Sequence, residues 1–258
     1  MKLTFLGTGT STGVPMMRCG CRVCTSADPR DKRLRSSVLV ETDAGKNLLI
    51  DCGPDFRTQL LAAGSPDIEA VLITHTHYDH VGGIDDLRPY CYDADGSHLP
   101  VYCREDVAAD LRARVPYCFA KVLYPGVPTF TLHEIREGLT FVPQGTDLNV
   151  RAIPVMHGKL HILGYRMERL AYITDCSRLP DEAFGMLAGV DTLVINALRI
   201  RPHMSHMSLD EALSVIRRIA PRRAYLTHLS HDMGLHAEAS LLLPENVEIA
   251  VDGLTIEI

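Results

Sequence analysis

Tryptophan is absent from this chain, and aromatic residues of all kinds make up only 6% of its 258 positions. Also missing is any run approaching the ~18 consecutive apolar residues that a membrane-spanning helix needs, so no membrane association is expected. The first residues, MKLTFLGTGTSTG, lack the apolar core and small-residue cleavage site of a secretory leader. A cytoplasmic location follows as the expectation, and there thiols stay reduced. Positive charge is not in excess: Lys and Arg number 26 against 32 Asp and Glu, a formal net charge of −6. That balance disfavours a grip on long nucleic acid, whose affinity rests on neutralised phosphates. Small phosphorylated substrates stay open. Eight cysteines are too few for a disulfide scaffold at this length. No repeat, low-complexity tract or linker-like stretch divides the chain, so one domain over 1–258 is the economical reading.

What the chain does have is a succession of short strand-like runs rich in Val, Ile, Thr and Tyr, with Gly, Pro or Asp at their ends. They are KLTFLG (2–7), SSVLVET (36–42), NLLIDCG (47–53), AVLITHTH (70–77) and LPVYC (99–103). LTFVP, NVRAIPV, ILGYRM, LAYITDC, DTLVINA, RAYLTHL and the terminal VEIAVDGLTIEI follow. Helical windows are fewer: Asp55–Ala63, Glu105–Arg114, Asp181–Ala188 and Leu209–Ala220. The last is well signalled, because Ser208 and Glu211 form an S-x-x-E capping pattern and Pro221 follows the run. One domain of two strand-rich halves, with helices outside them, is the economical reading. The stretch GTGTSTG places Gly7, Gly9 and Gly13 one residue off the G-x-G-x-x-G spacing. It reads as a tight loop near a site and not as a dinucleotide cradle.

Two clusters carry chemistry. RCGCRVCTS sets Cys19, Cys21 and Cys24 within six residues; a disulfide knot, a redox pair and a metal site all begin this way. Three thiolates in a reducing compartment suit a closed tetrahedral zinc, which needs a fourth leg. THTHYDH, Thr74 to His80, follows the apolar run AVLI. In extended backbone His75 and His77 share a face, and Asp79 and His80 can turn toward a second position. Four such side chains in six residues are hard to explain by packing, because His and Asp are costly to bury alone. Further candidates close later strand runs: His157, Asp175 and His228.

THTHYDH, with His157, YITD at Asp175 and LTH at His228, resembles the metallo-β-lactamase superfamily across nearly the whole chain. The resemblance implies a four-layer αββα sandwich with metals at one edge. It implies one ion on His75, His77 and His157, a second on Asp79, His80 and His228, and Asp175 bridging them. Asp51 in LLIDCG matches a buried Asp that orients a metal histidine. A cysteine-rich loop with a partner histidine further resembles a subgroup, the phosphodiesterases of the carbon–phosphorus lyase pathway. His231, three residues past His228, is then the fourth leg of a structural zinc on Cys19, Cys21 and Cys24, stapling a loop at about 15–30. The remaining cysteines, Cys52, Cys91, Cys103, Cys118 and Cys176, are expected as buried free thiols.

Two bridged divalent cations, Mn²⁺ or Zn²⁺, would supply a metal-bound hydroxide at neutral pH, which suits phosphodiesters, lactams and thioesters alike. The bridging Asp175 matches the phosphodiester and glyoxalase II-type thioester hydrolases of the family. RPHMSHMSLDEAL adds His203 and His206; His206 resembles a non-ligand histidine that handles the substrate phosphate or leaving group. His206 and Asp79 are thus the expected catalytic residues, with Arg199 and Arg201 as candidate positive charge and the following helix N-terminus favouring an anion. The expected activity is hydrolysis of small cyclic phosphodiesters or nucleotides, by an enzyme that the subgroup resemblance implies is a homodimer. The competing readings are a transfer-RNA 3′-processing nuclease, a thioester hydrolase, and a zinc-stabilised binding protein without catalysis. No long basic arm is present for the first, and the intact ligand set opposes the last.

Overall fold

The computed structural model describes residues 1–91, 98–122 and 124–258. Among the described residues fourteen strands, β1 to β14, divide into two sheets of seven. The first has the order β14-β1-β2-β3-β4-β5-β6, the second β13-β12-β11-β10-β9-β8-β7. In the first sheet β1 (Lys2–Gly7), β2 (Ser37–Glu41) and β3 (Asn47–Ile50) are antiparallel. β4 (Ala70–Leu72), β5 (Leu99–Cys103) and β6 (Phe130–Glu134) then continue parallel from β3. The second sheet repeats the plan. β7 (Thr140–Phe141), β8 (Val150–His157), β9 (Leu160–Met167) and β10 (Leu170–Ile173) are antiparallel. β11 (Thr192–Asn196), β12 (Arg223–Thr227) and β13 (Val247–Ile249) are parallel to β10.

Apolar alternation explains why the sheets stack. Leu3, Phe5, Val38, Val40, Leu48 and Ile50 of the first sheet pack on Tyr165, Tyr172, Val194 and Tyr225 of the second, nearly all without solvent contact. The opposite faces carry their own cores. One lies under α1 (Phe56–Ala62) and α3 (Glu105–Arg114), the other under α4 (Asp181–Met186) and α5 (Leu209–Ile219). Helix, sheet, sheet, helix: this is the four-layer αββα sandwich that the resemblance implied. No helix among the described residues is long and apolar enough to cross a membrane.

Two expectations are corrected. AVLITHTH is a strand only as far as Leu72; residues 73–77 are irregular, and Asp79 and His80 lie on the one-turn helix α2 (Tyr78–Val81). The terminal run VEIAVDGLTIEI is two strands in different sheets, because Gly253 at φ 83 turns the chain between β13 and β14 (Thr255–Glu257). Parallel pairing aligns the carboxyl ends of β3, β4, β10, β11 and β12, and the loops leaving them share one edge. Gly53 is required there, since a Cβ would sit 2.0 Å from the Asp79 carbonyl.

The α5 capping box forms as the sequence predicts, with Glu211 N–H donating to Ser208 Oγ and Ser208 N–H to Glu211 Oε2. Ser208→Ala should lower unfolding free energy by about 1 kcal/mol in urea titrations; an unchanged midpoint would mean that packing alone holds the helix start.

Candidate metal centres and active site

The seven predicted catalytic metal ligands come together at that edge, in adjoining groups. In the first, His75, His77 and His157 each offer a ligand atom, mutually within 4.8 Å. Their neighbours Asp79, His80, Asp175 and His228 form a second group on the same criterion. The two groups adjoin: the ring of His75, in the first, is 4.3 Å from that of His80, in the second. His157 stands at the tip of the β8–β9 hairpin, where Gly158 takes φ 58. Asp51, Asp175 and His228 follow β3, β10 and β12 with φ of 62, 53 and 56. For residues other than glycine this left-handed backbone costs roughly 1–3 kcal/mol, and it is found where the site dictates geometry.

The imidazoles are held by their Nδ1 atoms. His80 Nδ1 donates to Asp51 Oδ2 at 2.7 Å, and His157 Nδ1 to the Ser205 carbonyl at 2.7 Å. Thr74 Oγ1 donates to Asp51 Oδ2 (2.8 Å), so it accepts from His75 Nδ1 at 3.0 Å. Ser36 Oγ donates to Gly9 O and therefore accepts from His228 Nδ1 at 3.2 Å. The Nε2 atoms point inward, and those of His75 and His80 are buried without a hydrogen-bond partner. Orphaned buried nitrogens beside carboxylates are costly unless something binds them. This donor set, imidazole with carboxylate, fits divalent cations.

Electrostatics agree. Burial pushes His75, His77 and His228 below the usual histidine range, favouring the neutral form that binds metal. Burial opposes the charge on Asp175, but His228 and His80 outweigh it and hold the carboxyl well below its usual range. Burial also works against protonated His80; Asp175, Asp79 and Asp51 reverse that and raise it well above. Asp175 sits between the partners, with Oδ2 3.2 Å from His80 Nε2 and Oδ1 3.2 Å from His228 Nε2.

His206 stacks on His228 at 5.0 Å and tilts against His157 at 4.6 Å. Its Nδ1 is 3.8 Å from Asp175 Oδ1. Burial, helped by His228, pushes it down to about 3, so it is neutral at rest. His203 holds this loop, its Nδ1 accepting from Ser205 N–H at 3.3 Å. Arg199 is not free for a substrate: it donates to the carbonyls of Arg201 and Pro202, while Arg201 is exposed. The α5 N-terminus is not an open anion site either, since the Glu211 carboxylate caps it.

Cys19, Cys21, Cys24 and His231 form a further four-ligand group. His231 Nδ1 lies 3.3, 3.3 and 3.5 Å from the three sulfurs. The Cys24 N–H, then His231, bring the Cys21 thiol down to about 6, whereas burial pushes Cys24 up to about 11. Cys52, Cys91, Cys103, Cys118 and Cys176 are buried. Thr74, Ser36 and Ser205 escaped sequence reasoning. Thr74 opens THTHYDH and was legible there, whereas Ser36 and the Ser205 carbonyl act through long-range folding alone.

Histidines held neutral by burial bind fewer protons folded than unfolded, so stability rises with pH through their window. His75, His77, His206 and His228 act in this sense, against the single raised His80. The urea midpoint of metal-free protein should therefore fall as pH drops from 7.5 to 5.5, and a rise would show the cluster folding in its charged form.

A family model described as beta-lactamase superfamily domain matches residues 46–229. Over 255 residues the chain is 45% identical to an octanoyltransferase of Porphyromonas gingivalis, covering 98% of this chain and 51% of that protein. It thus spans about half the length of that relative. Coenzyme PQQ synthesis protein B of Methylobacterium nodulans is 31% identical over 226 residues, covering 76% of this chain and 72% of that one. Among solved structures, a diphosphatase from the PhnP family superposes with TM-score 0.91 at 39% identity, covering 100% of this chain and 97% of that one. Zn²⁺-bound PqqB from Methylobacterium extorquens gives 0.80 at 23%, covering the whole of both chains, a likeness of fold. The chain belongs to the beta-lactamase superfamily, with the fold of its metal-dependent hydrolases and a resemblance to their PhnP-type subgroup.

Proposed function

We propose that the chain is a dinuclear metal-dependent hydrolase of small phosphodiesters or nucleotides. One observation carries the reading: Asp175 falls within ligand distance both of Asp79, His80 and His228 and of His157, which also stands in the first group. A carboxylate so placed suits two cations sharing one ligand, the arrangement that family resemblance associates with phosphodiester and thioester hydrolysis. His75, His77 and His157 would hold one ion, and Asp79, His80 and His228 the other. Bound Zn²⁺ or Mn²⁺ would activate water and neutralise developing negative charge.

The chain's own residues do the rest. Asp51 and Thr74 fix the ring planes of His80 and His75, and Ser205 fixes that of His157. His206 meets the substrate as a neutral imidazole; an arriving phosphate brings the negative charge that raises its pKa toward the range useful for proton donation to a leaving group. The 39%-identical diphosphatase supports phosphorus as the centre attacked. A net charge of −6 supports small substrates over folded RNA. The octanoyltransferase relative favours one competitor, an acyl thioester.

A panel decides between them: 2′,3′-cyclic nucleotides, a linear diester, a dinucleoside diphosphate, octanoyl and glutathione thioesters, and a lactam, each with Zn²⁺ and Mn²⁺. A phosphoester should turn over fastest. A thioester or lactam outpacing all of them would replace the substrate class and leave the metal assignment standing.

Cys19, Cys21, Cys24 and His231 we assign to a closed structural zinc, which contributes folding energy directly. Cys21→Ser and His231→Ala should each lose one zinc per chain by elemental analysis, with a lower melting temperature and the other metals kept. His228→Ala should do the reverse, emptying the catalytic pair. Full zinc retention in either of the first two variants would remove His231 or Cys21 from the site.

A further inference from the structure

The loop GTGTSTG is not used by the reading above, yet its Thr10 touches the site. Thr10 is buried, and its Oγ1 lies 3.2 Å from His228 Nε2. Because His228 Nδ1 carries the proton donated to Ser36, Nε2 is the acceptor and the Thr10 hydroxyl is the donor. That nitrogen is also the one the proposed site commits to a cation. Once its lone pair is taken, the Thr10 hydroxyl loses its recorded acceptor in a place water reaches poorly, and an unpaired buried donor is costly.

The loop holds Thr10 rigidly. Thr10 N–H donates to Leu229 O at 3.0 Å, Leu229 N–H to Thr8 O at 2.9 Å, and Gly9 N–H to Leu34 O at 2.8 Å. Gly13 N–H closes a turn on Thr10 O at 2.8 Å. Gly9 is needed for this approach, because a Cβ there would meet the Arg33 carbonyl at 2.9 Å. A hydroxyl fixed in this way is a preorganised donor aimed at whatever anionic oxygen arrives beside His228. We propose that Thr10 is a substrate-contacting residue whose Oγ1–H donates to a phosphoryl oxygen. This deepens the phosphoester reading and rests on it.

The test compares wild type with Thr10→Val, Thr10→Ala and Thr10→Ser. Inorganic phosphate is titrated calorimetrically into metal-loaded protein, metal content is counted, and melting of metal-free protein is followed. Val and Ala should weaken phosphate about tenfold, the scale of one hydrogen bond to a charged group, while keeping the full metal content. They should also melt lower than wild type when metal-free, where the bond to His228 is lost. Ser should restore both, and Ala serves if Val does not fold. Unchanged phosphate affinity in Val and Ala overturns the inference. So does a loss of metal, which would make Thr10 a support for His228. Wild-type protein that neither binds phosphate nor cleaves any phosphoester overturns the inference together with the proposed function, and that failure is visible before any variant is made.

Discussion

A single buried carboxylate organises the metal-binding edge. Asp51 has no solvent contact and accepts three hydrogen bonds, from Thr74 N–H, Thr74 Oγ1 and His80 Nδ1. Burial pushes its pKa up and His80 opposes that, so the carboxyl is tolerated only with all three donors in place. Through Thr74 it also reaches His75. One residue thus sets the orientation of an imidazole in each ligand group, and it does so from a left-handed backbone that β3 would not adopt unaided.

From Asp51 the constraint passes into the sheets. His75, His77, Asp79 and His80 lie on the segment that leaves β4 of the first sheet and enters α2, and His157, Asp175 and His228 lie at strand ends of the second. Their separation is set by the apolar layer between the sheets, where Leu48, Ile50, Tyr165 and Tyr172 are fully buried. Such interiors pack at crystal-like density and yield little. Tyr165 adds a direct tie: its hydroxyl, from the second sheet, donates to the carbonyl of Ile73, two residues before His75. A core truncation far from the edge would therefore reach the site as a change in distance between ligands.

Local pattern made most of this legible and left identifiable gaps. β1 and β5 coincide with the runs KLTFLG and LPVYC, and α3 with Glu105–Arg114, because the apolar residues of those runs are the ones the final packing buries. β6, in TFTLHE, was missed: it is an edge strand with only Phe130 buried, so its apolar signal is thin. β13 and β14 were read as one run because a single turn glycine does not announce a change of sheet. The edge residues stood out since His and Asp at strand ends have no packing role. Their supports did not, because Ser36, Ser205 and Thr10 are ordinary hydroxyl residues or carbonyls until folding brings them to a ring nitrogen. Arg199 was misleading for a related reason, as sequence shows a charge but not the carbonyls it serves.

The cysteine cluster and the histidine edge are mechanically one object. The segment after β12 carries His228 at one end and His231 at the other, three residues apart. Leu229 between them pairs with the loop of Thr8 and Thr10, and Ser230 N–H donates to Leu198 O. The cysteine loop returns to β2 through Arg33, buried and donating to Thr8 Oγ1 and the Ala250 carbonyl, and through Leu34 N–H on Asp252. Ligation of the three sulfurs and His231 by the zinc proposed for them would therefore tighten the strap on which His228 sits. A structural zinc there would then act on the proposed catalytic site without touching what binds in it, by limiting how far His228 and Thr10 can drift from each other.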